Sequence, residues 1–127
     1  MRNCNFLLLL LFAAIFFSSC SDKIVGNWKI VRYEKGKPGN PDVKVYNIGT
    51  MRFKNNKTGE KEITTGILKN KISNSTPFNW SSTDNFITIN ENSEFGKTWV
   101  RVENKRKHQV LTSTDGANIV QILELRK

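Results

Sequence analysis

Few side chains in this chain of 127 residues have the chemistry of a catalyst. The thiols are Cys4 and Cys20, and a thiolate is the strong soft nucleophile among side chains. His108 is the single histidine, on an expected strand beside a basic turn, where an exposed edge position suits it better than a general base's place. No second histidine accompanies it, so a structural zinc site has too few ligands. Paired carboxylates are another route, since glycoside hydrolysis needs only two. Glu60 and Glu62 share one strand face at i and i+2, and Glu91 and Glu94 flank a loop. Either pair could face a cleft, but neither has the apolar surroundings that raise a carboxyl pKa. Ser113-Thr114-Asp115-Gly116 has the composition of a turn, and there is no glycine-rich phosphate loop. The expectation is a protein that is not an enzyme, with no catalytic residues, cofactor or metal.

The cysteines gain their meaning from position. Arg2 is the one charge before an unbroken apolar run from Phe6 to Phe17, 12 residues long. A membrane-spanning helix needs about 20 apolar residues. The shorter run fits the hydrophobic region of an export signal, followed by the small residues Ser18 and Ser19 at the cut. Phe17-Ser18-Ser19-Cys20 resembles the lipobox of bacterial lipoproteins, with Phe17 where leucine is usual. The resemblance implies a diacylglycerol thioether on Cys20, removal of residues 1–19, and acylation of the new amine by a chain such as palmitate. Two or three acyl chains anchor stably where one is marginal. Cys4 would leave with the signal and Cys20 would be consumed by lipid. The mature chain would then have neither a free thiol nor a disulfide, and must fold on its apolar core.

Loss of Arg2 lowers the net charge only from +9 to +8. A basic exported protein could meet anionic headgroups or acidic ligands, although the charges are scattered and read first as a solvated surface. Lys105-Arg106-Lys107 is the one dense run, placed between two strand-like segments as an exposed turn.

The elements that would carry these residues are strands. The tether is short, residues 20–23, with a helical turn capped by Asp22 expected at its end. Trp28, Ile30 and Arg32 alternate with Lys29, Val31 and Tyr33 in a first strand, about residues 27–34. Residues 35–41 hold Gly36, Pro38, Gly39 and Pro41 and are expected to form a loop. A second strand region spans Val43 to Arg52, interrupted near Gly49. A turn at residues 55–59 leads to a strand over 60–68, then to the ambiguous polar stretch 70–75. Strands come next at Phe78 and Trp80, at 86–89, at 97–103, at 108–112 and at 119–126. Between them lie a loop at 91–96, the basic turn, and a tight turn at Thr114-Asp115-Gly116. About eight short strands with turn chemistry between them predict an all-β antiparallel sandwich or barrel. Short sequential connections favour the up-and-down meander.

Residues 24–127 also resemble the lipocalin-like domains of small bacterial lipoproteins. Gly26-Asn27-Trp28 is similar to the Gly-x-Trp that opens the first lipocalin strand. Residues 51–59, Met-Arg-Phe-Lys-Asn-Asn-Lys-Thr-Gly, resemble the family's strand and Asn-rich hairpin. Phe78-Asn79-Trp80 with the run from Asp84 to Ile89 resembles its mid-barrel hairpin, and residues 122–127 its final strand. The resemblance implies an eight-stranded meander barrel over 24–127, in a group whose cavities bind small apolar molecules. It also implies that Trp28 plugs one barrel end with an arginine stacked on it. Arg126 is the matching residue and Arg101 the next candidate.

A barrel of eight strands is just wide enough either to fill with side chains or to hold one small ligand. Phe53, Phe78, Trp80, Phe86 and Trp99 are the expected cavity lining, and Trp28 and Phe95 complete an aromatic set that would equally make a packed core. The expected role is a non-catalytic, membrane-anchored lipoprotein of the cell envelope, the outer membrane being the favoured site, that binds a small apolar ligand. The alternative is a protein-interaction or inhibitor module using the outer surface or loops, with an envelope protein as partner. Export argues against a nucleic-acid partner.

Overall fold

A computed structural model describes residues 21–64, 75–114 and 118–127. The expected signal segment 1–19, Cys20, the stretch 65–74 and most of the turn at 114–116 lie outside the described residues.

Among the described residues, eight strands run in chain order around a closed antiparallel barrel. They are β1 (Gly26–Lys37), β2 (Asn40–Phe53), β3 (Thr58–Ile63), β4 (Ser75–Ser82), β5 (Phe86–Asn90), β6 (Thr98–Lys105), β7 (His108–Thr114) and β8 (Val120–Arg126). β8 returns to pair with β1, so no edge is left open. Strand alternation turns Trp28, Ile30, Met51, Phe53, Phe78, Trp80, Ile87, Ile89, Trp99, Leu111, Leu123 and Leu125 into the interior, all of them buried.

The ladder departs from the simple alternation at Val31. The register slips between Ile30 and Arg32 against both neighbouring strands. A bulge adds one residue and reverses the facing of the residues beyond it. Arg32 therefore meets Glu124 on the outside, and Tyr33 points in, opposite to a strict reading of the sequence. Facing this bulge, β2 carries Asn47 and Gly49 at φ 53° and 156°, the irregularity expected near Gly49, but the strand continues through it.

The loop expected over 35–41 is a tight hairpin instead. Lys37 pairs with Asn40, which leaves Pro38 and Gly39 as the turn. Pro38 presets the first turn position, and Gly39 takes φ 75° at the second. Backbone pairing thus overrides the breaker composition. Asp22 caps a single turn: the Ile24 N–H donates to its side chain at 2.9 Å and the Val25 N–H to its carbonyl at 3.1 Å.

The barrel has two ends. The end holding the start of β1 is stoppered by Ile24, wholly buried beneath Trp28, whose indole N–H donates to the Ile24 carbonyl at 2.7 Å. The opposite end, the mouth, carries the β1–β2 turn, the β5–β6 loop at residues 91–97 and the approach to β8.

Candidate functional site

Polar side chains enter the interior at the mouth from several strands. Tyr33 comes from β1, Lys61 from β3, Ser113 from β7 and Gln121 from β8, each buried. Lys61 sits on the inward parity of β3, and the Val31 bulge puts Tyr33 and Lys35 on the inward parity of β1.

The β5–β6 loop folds back into this end. Its base is closed by the Ile89 N–H donating to the Lys97 carbonyl at 2.9 Å. Ser93 makes its corner: the Gly96 N–H donates to the Ser93 carbonyl at 3.0 Å, and the Phe95 N–H to the Ser93 hydroxyl at 3.2 Å. Gly96 is needed because a Cβ there would lie 2.2 Å from the Glu91 carbonyl oxygen. The turn drives Phe95 inward, where it meets Tyr33 edge-on at 5.3 Å between ring centroids. The Trp99 indole N–H donates to the Phe95 carbonyl at 3.0 Å. Both barrel ends thus use one device: an apolar stopper four residues before a tryptophan that holds its carbonyl.

Charge surrounds the Phe95 stopper. The Lys61 ammonium lies 2.5 Å from Glu91, donates to Ser93 at 2.7 Å and stands 4.7 Å from the Phe95 ring centroid. The Tyr33 hydroxyl donates to Glu94 at 2.9 Å and accepts from the Gln121 amide at 2.8 Å. Lys35 pairs with Glu94 at 3.2 Å, and Lys97 donates to Gln121. Burial, then the hydrogen bond to Glu94 and its charge, push the Tyr33 phenol up to about 12. The hydrogen bonds from Tyr33 and Lys35 hold Glu94 below its ordinary value. Beside this network a cleft of about 250 Å³ opens between Tyr33, Lys35, Asp42, Val43, Glu94 and Ile119.

The expected cavity lining divides. Phe53, Phe78, Trp80 and Trp99 point inward. They pack on aromatic neighbours: Phe53 meets Phe78 at 5.2 Å and Trp80 at 5.6 Å, both edge-on, and Trp99 meets Phe95 at 6.4 Å. Phe86 is a correction. It is 44% exposed and pairs with Val100 on the outer face, because Ile87 and Ile89 take the inward parity of β5.

The pairing of Arg126 with Trp28 is also corrected. Leu125 is buried, so Arg126 faces out, towards Glu124 at 3.4 Å. The cation over the Trp28 ring is Lys127, at 4.9 Å. Gly26 makes room for it, since a Cβ there would stand 2.8 Å from the Lys127 ammonium. Arg101, the other candidate, is committed to Asp22 by two hydrogen bonds of 2.6 and 2.9 Å. Burial alone would raise the Asp22 carboxyl. The bonds from Arg101, the Ile24 N–H and Ser82 outweigh it and hold the carboxyl well below the usual carboxylate range.

The Glu91 side chain is 2% exposed, and its contacts are the Lys61 ammonium and the Ser93 hydroxyl. Glu60 and Glu62 line a groove of about 570 Å³ on the outer face, where Glu60 pairs with Lys54 at 3.1 Å. His108 is half-buried on the outer face between Glu124, at 2.6 Å, and Glu103. Among the described residues no three His, Cys, Asp or Glu side chains group as a metal site. Lys61 and Gln121 were missed in the sequence, and their strand parity was the signal available.

The lipocalin-like domain family matches residues 24–115. A lipocalin-like protein from Bacteroides uniformis ATCC 8492, solved by crystallography, superposes with a TM-score of 0.55 at 16% identity, covering 83% of this chain and 98% of that chain. At that identity the likeness concerns the fold. No curated protein matches.

Proposed function

We propose that this chain, which belongs to the lipocalin-like domain family, is a lipid-anchored envelope protein that binds a small ligand at the mouth of its barrel. The observation that carries the binding role is the convergence of Tyr33, Lys61 and Gln121 from three strands at one end of a largely apolar interior, beside an open cleft. Ligand sites have this composition, apolar walls with a few polar groups that fix orientation. Since the deep aromatics pack on one another, the ligand's apolar part would occupy the upper barrel, at the level of Phe95 and Trp99.

The anchor reading rests on Cys20 and gains support from the residues next to it. Asp22 is bound by Arg101 and Ser82, so the chain is fixed two residues after Cys20. Two residues reach about 7 Å at most. A lipid on Cys20 would hold the stoppered end within about one Debye length of the headgroups. That end also carries Lys23, Lys57, Lys127 and the Lys105-Arg106-Lys107 turn, all exposed, which favours an anionic surface. The mouth would then face away from the membrane.

Native mass spectrometry on protein extracted from its own membrane tests both parts. The expected species starts at Cys20, carries acyl mass and releases a small non-covalent molecule on activation. A chain retaining residues 1–19, or the same chain with Cys20→Ala still taking up labelled palmitate, would remove the anchor. A barrel that never carries an adduct would remove the ligand. A second reading, a protein partner on the outer surface, is favoured by the exposed apolar cluster of Phe86, Val100 and Val102 on β5 and β6.

A further inference from the structure

The β5–β6 loop fills the mouth with the groups a ligand would bring. The scaffold supplies donors there: the Lys61 ammonium from β3, and the Tyr33 phenol and Lys35 ammonium from β1. The loop answers with carboxylates, Glu91 on Lys61 and Glu94 on Tyr33 and Lys35. It also supplies an aromatic ring, Phe95, whose face is met by the same Lys61 ammonium that binds Glu91. Ring and carboxylate are thus gathered on one buried cation.

The loop fits this position incompletely. Glu91 Oε2 is buried with no hydrogen-bond partner. An ion pair taken out of water is offset only when its remaining lone pairs are satisfied. A buried acceptor left unmade costs its full desolvation. A free molecule, not tied to the backbone at Ile89 and Lys97, can place both carboxylate oxygens on donors. With the loop withdrawn, Lys61 and Lys35 would face a mouth whose other acidic cleft residue is Asp42.

We infer that residues 91–97 act as an internal stand-in for the ligand, and that the ligand they mimic is a small aromatic or apolar carboxylate that binds Lys61 by displacing Glu91 and Phe95. The inference rests on the mouth being a ligand site, and it adds the chemical class and the element that must leave.

The test titrates 4-phenylbutyrate and its uncharged analogue 4-phenylbutan-1-ol onto the full-length protein and onto Phe95→Ala, read by calorimetry. Phe95→Ala removes the competing ring, so it should bind the acid about tenfold more tightly than the parent, and about tenfold more tightly than it binds the alcohol. Adding Lys61→Met with Glu91→Gln removes both charges and strands neither. That variant should lose the preference for the acid while still binding the alcohol. Equal binding of acid and alcohol by Phe95→Ala would overturn the carboxylate class and leave the mouth standing as a ligand site. Binding of neither by a folded Phe95→Ala would overturn the mouth itself. Circular dichroism establishes folding, and Phe95→Leu carries the same comparison if the alanine variant does not fold.

Discussion

Asp22 shows how much one residue can fix. Its carboxylate takes bonds from Arg101, from Ser82 and from the Ile24 N–H, and so ties the segment before β1 to β4 and β6. The folded state holds this carboxyl below its unfolded value of 3.8. The stability it supplies is therefore present above about pH 4 and is lost as the pH falls below that. Asp22→Asn should cost roughly 2 kcal/mol at pH 7, in the range for hydrogen bonds to a charged group. Urea midpoints taken between pH 7 and pH 3 should show the parent and the variant converging as acid is added. A gap that stays constant over that span would show that the Asp22 charge plays no part. At this scale the sequence is legible only where strand parity is certain. The cation over Trp28 was not readable: Arg126 and Lys127 are adjacent, and only the inward facing of Leu125 decides between them. Phe86 shares its face of β5 with the polar Thr88 and Asn90, so alternation puts Ile87 and Ile89 inward, and only the aromatic character of Phe86 argued otherwise.

At the scale of the element, the β5–β6 loop separates from the strands that carry it. Phe53 is locked among Phe78 and Trp80 with 1% exposure, whereas Phe95 sits on a loop over charged groups, with 7% exposure. Truncating a core phenylalanine costs about 3–5 kcal/mol. Phe53→Ala should fall in that range. Phe95→Ala should cost about half as much or less, because its loop can rearrange and water can reach Lys61. Chemical denaturation of the two variants checks this, and equal losses would make the loop part of the core rather than a stopper resting on it. The strands themselves were largely legible, since alternation and turn residues recur along the chain. The departures have physical causes. Pairing of Lys37 with Asn40 carries β1 and β2 through a Gly- and Pro-rich stretch that composition assigns to a loop. The Val31 bulge leaves no mark in hydropathy, yet it alone puts Tyr33 into the mouth.

For the whole molecule, barrel closure and the two stoppers give the protein a polarity. One end holds Asp22, two residues after Cys20 in the sequence, and is ringed with lysine and arginine; the other gathers buried polar groups under the β5–β6 loop. The sequence carried the barrel through its eight short strands and its turns, and carried the family through the order of its motifs. It could not carry the mouth, which is assembled from β1, β3, β8 and a loop that lie far apart in the chain. The central claim is that this assembled end is where a ligand binds. Amide chemical-shift mapping of Phe95→Ala titrated with 4-phenylbutyrate tests that most directly. The largest shifts should fall at Tyr33, Lys61, Trp99 and Gln121. Shifts gathered instead at Phe86, Val100 and Val102 on the outer face would contradict the claim and favour the protein-partner reading.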